Sequence, residues 1–243
     1  YAILRNPPAV TESAANEARF RLMRERAHVL TSKEPAKLVD TYRGELRHAD
    51  EAHEPSLRYG LALALLRSGQ SKSALAEFDR LLVKAPGDLA LLLPRAEAQR
   101  AAGDAAAALK QLQSLAEVSP DHRAVQLAYA DALNANGDKA SGQRAMAVLR
   151  PILAKYGADP TTQGTFARAC ELAGEDTRAL EAHAEVALYT GRPYDAMEQL
   201  KRLLERPGVD YYQRARVEAR IEELKPYMAE LERQRIRRED QDT

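Results

Sequence analysis

The sequence has a single cysteine, no tryptophan and no net charge, and these absences exclude several classes of protein. Because Cys170 has no second cysteine to pair with, an internal disulfide is excluded. Since this cysteine lies in a predicted helix, ARACELAG, we expect a small buried hydrophobic residue rather than a reactive thiol. A chain without a disulfide is compatible with the cytosol and with the periplasm.

The charge balance and the hydropathy of the sequence bear on two kinds of partner, nucleic acid and membranes. The 36 Lys and Arg residues are balanced by 36 Asp and Glu residues, so the net charge gives no electrostatic reason to expect nucleic acid or an anionic membrane. No apolar stretch approaches the roughly 20 residues that a membrane-spanning helix needs, and we expect no membrane insertion. The sequence begins with Tyr1 and shows no signal-peptide pattern, which we interpret as a piece of a longer or processed polypeptide.

The five histidines form no recognisable catalytic or metal-binding pattern. No two are spaced by four residues, so the H-E-x-x-H zinc motif does not occur in the sequence. His48 and His53 flank a turn that also contains Asp50, Glu51 and Glu54, which we interpret as a solvated loop rather than a metal site. Neither a glycine-rich phosphate loop nor a Ser-His-Asp or Cys-His set is recognisable. We therefore expect no catalytic residue, metal ion or cofactor in this chain.

What the sequence does contain is a pattern that returns every 34 residues. Glycines, alanines and prolines repeat at this interval, at Gly69, Gly103 and Gly137, at Ala62, Ala96 and Ala130, and at Pro86 and Pro120. A period of this length is the signature of a helix-turn-helix repeat, whose units bury their apolar faces only by stacking on their neighbours. The sequence therefore predicts an all-α solenoid of about five helix pairs with a C-terminal capping helix.

The pattern also predicts where the repeats begin and end. We expect an irregular lead-in over residues 1–11, a helical repeat domain over 12–235 and a charged, frayed tail over 236–243. The clearest repeats cover 55–206, and the capping helix covers 210–235. In the first helix, over 12–31, apolar residues recur at spacings of three and four, at Phe20, Met23, Ala27 and Leu30.

Several departures from the period carry predictions of their own. The third unit contains three extra residues, which we place in a turn at DKASGQ because repeat arrays tolerate insertions in turns. Gly174 and Gly191 are only half a period apart, so the helix over 176–190 closes one unit and opens the next. Pro94 predicts a kink or a late helix start, and Pro226 predicts a kink in the capping helix. His183 falls at a core position of the repeat, where we expect a packed or hydrogen-bonded histidine.

These residues resemble the tetratricopeptide repeat (TPR), well over about 55–206 and weakly over 12–54. The chain departs from the usual TPR pattern because the first helix of each pair lacks its aromatic residue. In a TPR solenoid the first helix of each pair lines a concave groove, and the resemblance implies a binding groove for proteins or peptides, with Tyr59 and the leucines as anchors. The implied groove residues are Tyr59, Leu63, Leu66, Arg67, Leu93, Glu97, Arg100, Leu127, Asp131, Asn134, Arg168 and Glu171.

The same positions argue against one known use of such a groove. TPR co-chaperones bind an acidic C-terminus with a clamp of Lys, Asn and Arg, whereas the equivalent positions here offer apolar residues and the acids Glu97 and Asp131. The alternative to a groove is that several of the implied residues pack against neighbouring helices or a folded-over terminal helix.

A narrower resemblance covers about 60 residues from Ala167 to Leu224, including the half period. This segment resembles the tail of periplasmic, peptidase-bearing chaperones of the BepA (YfgC) type, and ARFRLMRERAHVL resembles the helix that opens their repeat domain. The resemblance implies a non-catalytic domain of a periplasmic zinc metallopeptidase-chaperone. Its implied partners are outer-membrane β-barrel assembly machinery and misfolded outer-membrane proteins, and zinc is expected only in an upstream peptidase domain. The alternative is a stand-alone scaffold that joins subunits of an envelope or cytoplasmic complex.

Overall fold

The computed structural model describes residues 14–241, with side chains from residue 16 to residue 234, as helices joined by short turns. Within this range it contains twelve helices and no strand, which confirms the all-α class. The lead-in predicted for 1–11 lies outside the described residues. The helices are α1 (Ala14–Thr31), α2 (Pro35–Leu46), α3 (Glu54–Arg67), α4 (Ser71–Lys84), α5 (Leu89–Ala101), α6 (Ala105–Val118), α7 (Arg123–Asn134), α8 (Lys139–Tyr156), α9 (Pro160–Ala173), α10 (Asp176–Tyr189), α11 (Pro193–Leu204) and α12 (Tyr211–Gln241).

The chain divides into two compact units between Gln111 and Leu112, within α6. In unit 1, α3 contacts α1, α2, α4 and α5. In unit 2, α9 contacts α7, α8 and α10, and α11 contacts both α10 and α12. From α2 to α5 and from α7 to α12, consecutive helices therefore pack against one another, as in a TPR array, whereas α1 packs on α3. The helix α10 contacts α9 and α11, and its double role in two units stays a prediction.

The turn between the helices of a pair uses the repeated glycine as predicted. Gly69 has φ 80° and Gly174 has φ 78°, in the left-handed region that costs an L-residue with a Cβ atom about 1–2 kcal/mol. The glycines at 103, 137 and 191 share this conformation, with φ 104°, 76° and 81°. The glycine period therefore marks the end of the first helix of each pair.

The three extra residues of the third unit do not lie in a turn, and this prediction is wrong. They lengthen α8, which begins at Lys139 and runs for 18 residues. The helix begins this early because Asp138 caps it: its Oδ1 accepts a hydrogen bond from the Ser141 backbone N–H at 2.9 Å. The early start places Gly142 against α9, where an added Cβ atom would lie 2.8 Å from the Ala173 backbone nitrogen.

Neither proline that was expected to interrupt a helix ends one, since Pro94 lies inside α5 and Pro226 lies inside α12. α5 begins at Leu89, ahead of Pro94, because Asp88 caps it by accepting a hydrogen bond from the Ala90 N–H at 2.8 Å. α12 runs through Pro226 and continues to Gln241, so the segment expected to fray is helical through that residue. Intrahelical ion pairs such as Arg233 with Glu230, 2.9 Å apart, favour continuation of the charged helix.

The core of unit 1 is built on large aromatic side chains. Tyr42, Tyr59 and Phe78 are at most 1% exposed, and the rings of Tyr59 and Phe78 meet edge to face with centroids 6.2 Å apart. The Tyr42 hydroxyl donates a hydrogen bond of 2.8 Å to the buried Glu25 carboxylate. The Tyr42 ring fills the space that a Cβ atom on Gly60 would occupy, at 2.5 Å from its Cζ.

The core of unit 2 is built on alanines and aliphatic residues. Its largest fully buried side chains include Leu133, Leu149 and Ile152. Alanines at 167, 169, 179, 182, 184 and 187 are also buried, so α9 and α10 approach with small residues between them. A second apolar cluster joins α10, α11 and α12 through residues such as Leu200 and Val217.

Candidate protein-binding surfaces

The residues implied on α3 of unit 1 lie mostly in the core, which corrects the expectation that they line an open groove. Tyr59 is 0% exposed and Leu63 is 5% exposed. Burial raises the pKa of the Tyr59 hydroxyl, and the Arg26 guanidinium of α1 donates to that hydroxyl at 3.3 Å. The physical reason is that α1 packs on α3 and occupies the space in front of these two side chains. They are not accessible as anchors while α1 is in place.

The other two implied residues of α3 are more accessible but already engaged. Arg67 is exposed, yet its guanidinium donates to the backbone carbonyl oxygens of Val29 and of Ser32, the latter at 3.1 Å. Leu66 is half-buried and packs against the core of unit 1. Arg67 thus fastens the C-terminal end of α1 to α3.

The residues implied on α5 remain available on the surface of unit 1. Leu93 is half-buried, whereas Glu97 and Arg100 are exposed. Neither charged side chain makes an ion pair or hydrogen bond within the described part of the chain. These three residues form a small mixed surface with one apolar member.

In unit 2, three of the implied residues lie on α7, and two of them are buried. Leu127 is 8% exposed and Asn134 is 7% exposed. Asn134 donates from Nδ2 to the Thr165 carbonyl oxygen at 3.0 Å, and Asp131, which is exposed, accepts from the Thr165 hydroxyl at 3.0 Å. Both residues therefore connect α7 to α9. Asn134 is therefore part of the helix interface and not of an open surface, and its Oδ1 is buried without a hydrogen-bond partner among the described residues.

The remaining implied residues, Arg168 and Glu171 on α9, form an exposed polar cluster with His183 of α10. The Arg168 guanidinium lies 3.0 Å from Glu171, and the His183 Nε2 lies 2.8 Å from the other Glu171 oxygen. The hydrogen bond with His183 and the one with Arg168 lower the pKa of Glu171. His183 is hydrogen-bonded as predicted but its side chain is 45% exposed rather than packed, because small residues such as Ala182 and Ala184 fill the neighbouring core.

Unit 2 also contains a cleft that sequence reasoning missed, which we call the α10–α12 cleft. Its volume is about 410 Å³. Half-buried Leu153 and Phe166 contribute apolar surface, and arginines and glutamates of α10 and α12 form its charged rim. The lining residues are Leu153, Gln163, Phe166, Arg178, Glu181, Ala182, Glu185, Leu200, Arg216, Val217 and Arg220.

Two ion pairs connect α10 to α12 at this cleft. Arg216 donates to both carboxylate oxygens of Glu181 at 2.8 and 2.7 Å, and Arg220 donates to both oxygens of Glu185 at 2.6 and 2.8 Å. These hydrogen bonds raise the pKa of each guanidinium, so both arginines stay charged. The partners in each pair are 35 residues apart, which is about one repeat, and this spacing is the signal that could have predicted the pairing.

The other candidate chemical groups are inert or scattered. Cys170 is buried, and that burial raises the pKa of its thiol to about 12, so it is not a nucleophile near neutral pH. His53 makes a 2.7 Å contact with Asp50 in an exposed loop. Across the described residues, no three His, Cys, Asp or Glu side chains are placed to hold a metal ion. A helix long and apolar enough to cross a membrane is likewise absent from this part of the chain.

The paired helices and the 34-residue glycine period define the class of the protein as a helical-repeat protein with TPR-like packing. No protein-family model matches the sequence, and no curated protein matches it significantly. Among solved structures, the chain is similar to the MamA RS-1 ArsTM double mutant, with 17% identity and a TM-score of 0.49 over 72% of this chain and 96% of that one.

Two further solved structures are similar at the level of the fold. A thermophilic TPR protein of Thermus thermophilus, TTC0263, is 21% identical with a TM-score of 0.43, over 68% of this chain and 97% of that one. A tetratricopeptide repeat protein of Parabacteroides merdae is 14% identical with a TM-score of 0.48, over 84% of this chain and 86% of that one. Similarity this distant does not transfer a function.

Proposed function

We propose that this chain is a non-catalytic protein-binding domain that holds a segment of a partner polypeptide in the α10–α12 cleft. The observation that carries the proposal is the cleft itself, with its apolar lining and charged rim. Its volume of about 410 Å³ lies within the range of roughly 300–1,000 Å³ that is typical of ligand sites in proteins.

The chemistry of the cleft selects an apolar side chain flanked by polar groups. Leu153 and Phe166 are only half-buried, so covering them removes further apolar surface from water. At the rim, Arg178 is 40% exposed and its nearest carboxylate, Glu175, lies at 3.8 Å, so its guanidinium has hydrogen-bonding capacity left for a partner. A leucine or aromatic residue next to a backbone carbonyl or a carboxylate fits this arrangement.

The finer proposal is that this domain belongs to a periplasmic zinc metallopeptidase-chaperone. Support comes from the segment that resembles such proteins, Ala167 to Leu224, which supplies most of the cleft lining. The proposed ligands are misfolded outer-membrane proteins or the β-barrel assembly machinery. Zinc chemistry belongs to a separate peptidase domain in this proposal, and the helical-repeat domain delivers or retains the polypeptide substrate.

Binding of an unfolded polypeptide to the intact chain tests the proposed function. The probe is fluorescein-labelled, reduced and carboxymethylated α-lactalbumin, and fluorescence anisotropy measures its dissociation constant. We expect Phe166→Ala to weaken binding about tenfold, since it removes the one aromatic ring of the cleft lining. The matched control is Val83→Ala in unit 1, because Val83 is 83% exposed and outside the cleft. Binding that is unchanged by Phe166→Ala, with the variant folded, contradicts the proposal.

The cellular context is tested separately. Fractionation of the source cells, with an antibody to this chain, is expected to place the native protein in the periplasm. Its intact mass is expected to exceed 26.9 kDa by about one further domain, on the order of 150–250 residues. A native mass near 26.9 kDa contradicts the peptidase context and favours the stand-alone scaffold, whereas it leaves the cleft proposal intact.

A further inference from the structure

The outward face of α1 carries apolar side chains that no described residue covers. Phe20 is 65% exposed, Met23 is 39% exposed and Leu30 is 52% exposed, with the exposed Ala27 between them. The opposite face of the same helix holds the buried Val29 and packs on α3. The apolar period that sequence analysis found in α1 therefore does not serve the core of unit 1. We call these four residues the α1 stripe.

The spacing of the α1 stripe is that of a coiled-coil seam. Phe20, Met23, Ala27 and Leu30 follow one another at intervals of three, four and three residues, as positions a, d, a and d of two heptads. At 100° per residue the stripe covers about 80° of the helix. A seam this narrow matches a single partner helix, whereas a helix that lies in a membrane surface presents a broader apolar face.

The charges that border the stripe define the chemistry of its partner. Arg19 and Arg26 occupy the g positions and Arg24 occupies an e position. Arg19 has neither an ion pair nor a hydrogen bond among the described side chains. Arg24 contacts the neighbouring Glu25 at 2.6 Å and remains 55% exposed. The g side of the seam is therefore bordered by Arg19 and Arg26, whereas on the e side Arg24 lies in line with Glu17, which pairs with Arg21 at 3.0 Å.

The arginines beside the stripe also distinguish three partners that could cover an apolar helix face, namely a second copy of the chain, a membrane and a helix of another protein. A second copy of the chain would bring arginines of one α1 against arginines of the other, which is unfavourable. An anionic membrane would meet the arginines favourably but would cover only the narrow stripe. An acidic amphipathic helix would pack its apolar residues on the α1 stripe and would pair its carboxylates with the flanking arginines.

We propose that the α1 stripe is a docking surface for an amphipathic helix of a partner protein, with apolar residues at its own a and d positions and acidic residues at its e and g positions. Phe20 is the anchor, because it is the largest residue of the seam and is 65% exposed, and Arg19 sets the orientation through a charge pair. This surface lies in unit 1 and does not depend on the α10–α12 cleft.

The test uses two synthetic helical peptides of three heptads and the intact chain. Both peptides have leucine at the a and d positions, but one has glutamate and the other lysine at e and g. Fluorescence anisotropy is expected to show saturable binding of the glutamate peptide and at least about tenfold weaker binding of the lysine peptide.

Variants of α1 locate the binding site. Phe20→Glu is expected to weaken binding of the glutamate peptide by at least about tenfold. The variant Arg19→Glu is expected to weaken binding of the glutamate peptide and to strengthen binding of the lysine peptide. The control is Val83→Glu, which also puts a charge on an exposed apolar position of unit 1, 83% exposed, and which should leave binding unchanged. Circular dichroism confirms that each variant is folded.

Three results would overturn the proposal. The first is no saturable binding of the glutamate peptide, and the second is binding that Phe20→Glu leaves intact. The third is stripe-dependent binding to vesicles of anionic phosphatidylglycerol, or stripe-dependent dimerisation in sedimentation, without binding of the glutamate peptide. Loss of unfolded-polypeptide binding in Phe166→Ala has no bearing on these outcomes, so the two proposals fail independently.

Discussion

Units 1 and 2 share the 34-residue repeat but bury different kinds of side chain between their helices. Unit 1 places Tyr42, Tyr59 and Phe78 between its helices, whereas unit 2 places alanines and aliphatic residues there. In unit 1 the first helix covers the inward residues of α3, and in unit 2 the last helix is joined to α10 by ion pairs beside an open cleft. The repeat period thus determines which residues meet between helices, while the terminal helices determine which surface stays open.

The largest expected effect tests whether the aromatic core holds unit 1 together. Phe78→Ala should lower the free energy of unfolding by about 4 kcal/mol, because it removes a fully buried ring and leaves a cavity. Val83→Ala on the same helix should change it by less than about 0.5 kcal/mol, since Val83 is 83% exposed. Hydrogen exchange by mass spectrometry should show that Phe78→Ala accelerates exchange, relative to the wild type, more in α2 to α4 than in α8 to α11. Equal acceleration in both units would contradict separate cores.

The next effect tests the close helix packing of unit 2. Gly142→Ala should lower the free energy of unfolding by about 3 kcal/mol. The reason is that the added Cβ would lie 2.8 Å from the Ala173 backbone nitrogen and 2.9 Å from the Ala169 carbonyl oxygen. Gly44→Ala is the matched control, since nothing lies within 4 Å of its added Cβ. This control should stabilise α2 by roughly 0.5–1 kcal/mol. Urea denaturation measures the free energy of unfolding of both variants. If Gly142→Ala leaves this free energy unchanged, α8 and α9 can move apart at little cost.

A smaller effect concerns the hydroxyl of Tyr42 in unit 1. Tyr42→Phe should cost about 1–2 kcal/mol, because the buried Glu25 carboxylate loses a hydrogen bond of 2.8 Å. Tyr227→Phe is the matched control, since Tyr227 is 49% exposed. Urea denaturation at pH 8 separates the two, and equal midpoints for both variants would contradict a stabilising role for this hydrogen bond.

The same hydroxyl predicts how unit 1 responds to alkaline pH. Burial and the hydrogen bond to Glu25 raise the pKa of Tyr42 above its ordinary value, so the folded state favours the neutral hydroxyl. Its contribution to stability is therefore complete below the ordinary tyrosine pKa of about 10 and decreases as the pH rises above it. Urea denaturation at pH 8 and 10.5 should show this loss in the wild type and a smaller loss in Tyr42→Phe. A loss of the same size in both proteins would assign the effect to other groups.

The smallest expected effect concerns the ion pairs at the cleft of unit 2. The double variant Arg216→Gln, Arg220→Gln should lower the free energy of unfolding by about 1 kcal/mol at low salt, because the ion pairs are bidentate but partly exposed. The loss should be smaller in 1 M salt, since salt screens the charges. Arg202→Gln is the control, since its pair with Glu198 is more exposed. The midpoint of thermal unfolding at both salt concentrations is the measurement. A cost that does not depend on salt would mean that packing of the arginine stems, not charge, joins the two helices.

The sequence predicted most of the fold because its signals are local. The glycine period located the turns, since a left-handed residue at the end of a helix is a property of a few neighbouring residues. The half period likewise located α10. The start of α8 was missed because an aspartate cap and a following glycine look like a turn in sequence, and only the packing of Gly142 on α9 favours the helix.

The candidate sites were harder to predict because burial depends on distant neighbours. Repeat phase placed Tyr59 and Leu63 on the groove-lining face of α3, but it does not reveal that α1 packs on that helix and that both side chains are buried. It likewise does not reveal that Asn134 is used to join α7 to α9. The α10–α12 cleft depends on where α12 lies, and the only sequence signal for it is the spacing of Arg216 and Arg220 from their glutamates.

The measurement that tests the central claim most directly is site-specific photo-crosslinking from the cleft. Benzoylphenylalanine replaces Gln163, a half-buried residue of the cleft lining, or Val83 as a control outside it. After irradiation with the reduced, carboxymethylated α-lactalbumin probe, we predict an adduct from position 163 that unlabelled probe competes away, and none from position 83. Equal adducts from both positions, or none from position 163 while the probe still binds, would contradict the claim that unit 2 holds polypeptides in this cleft.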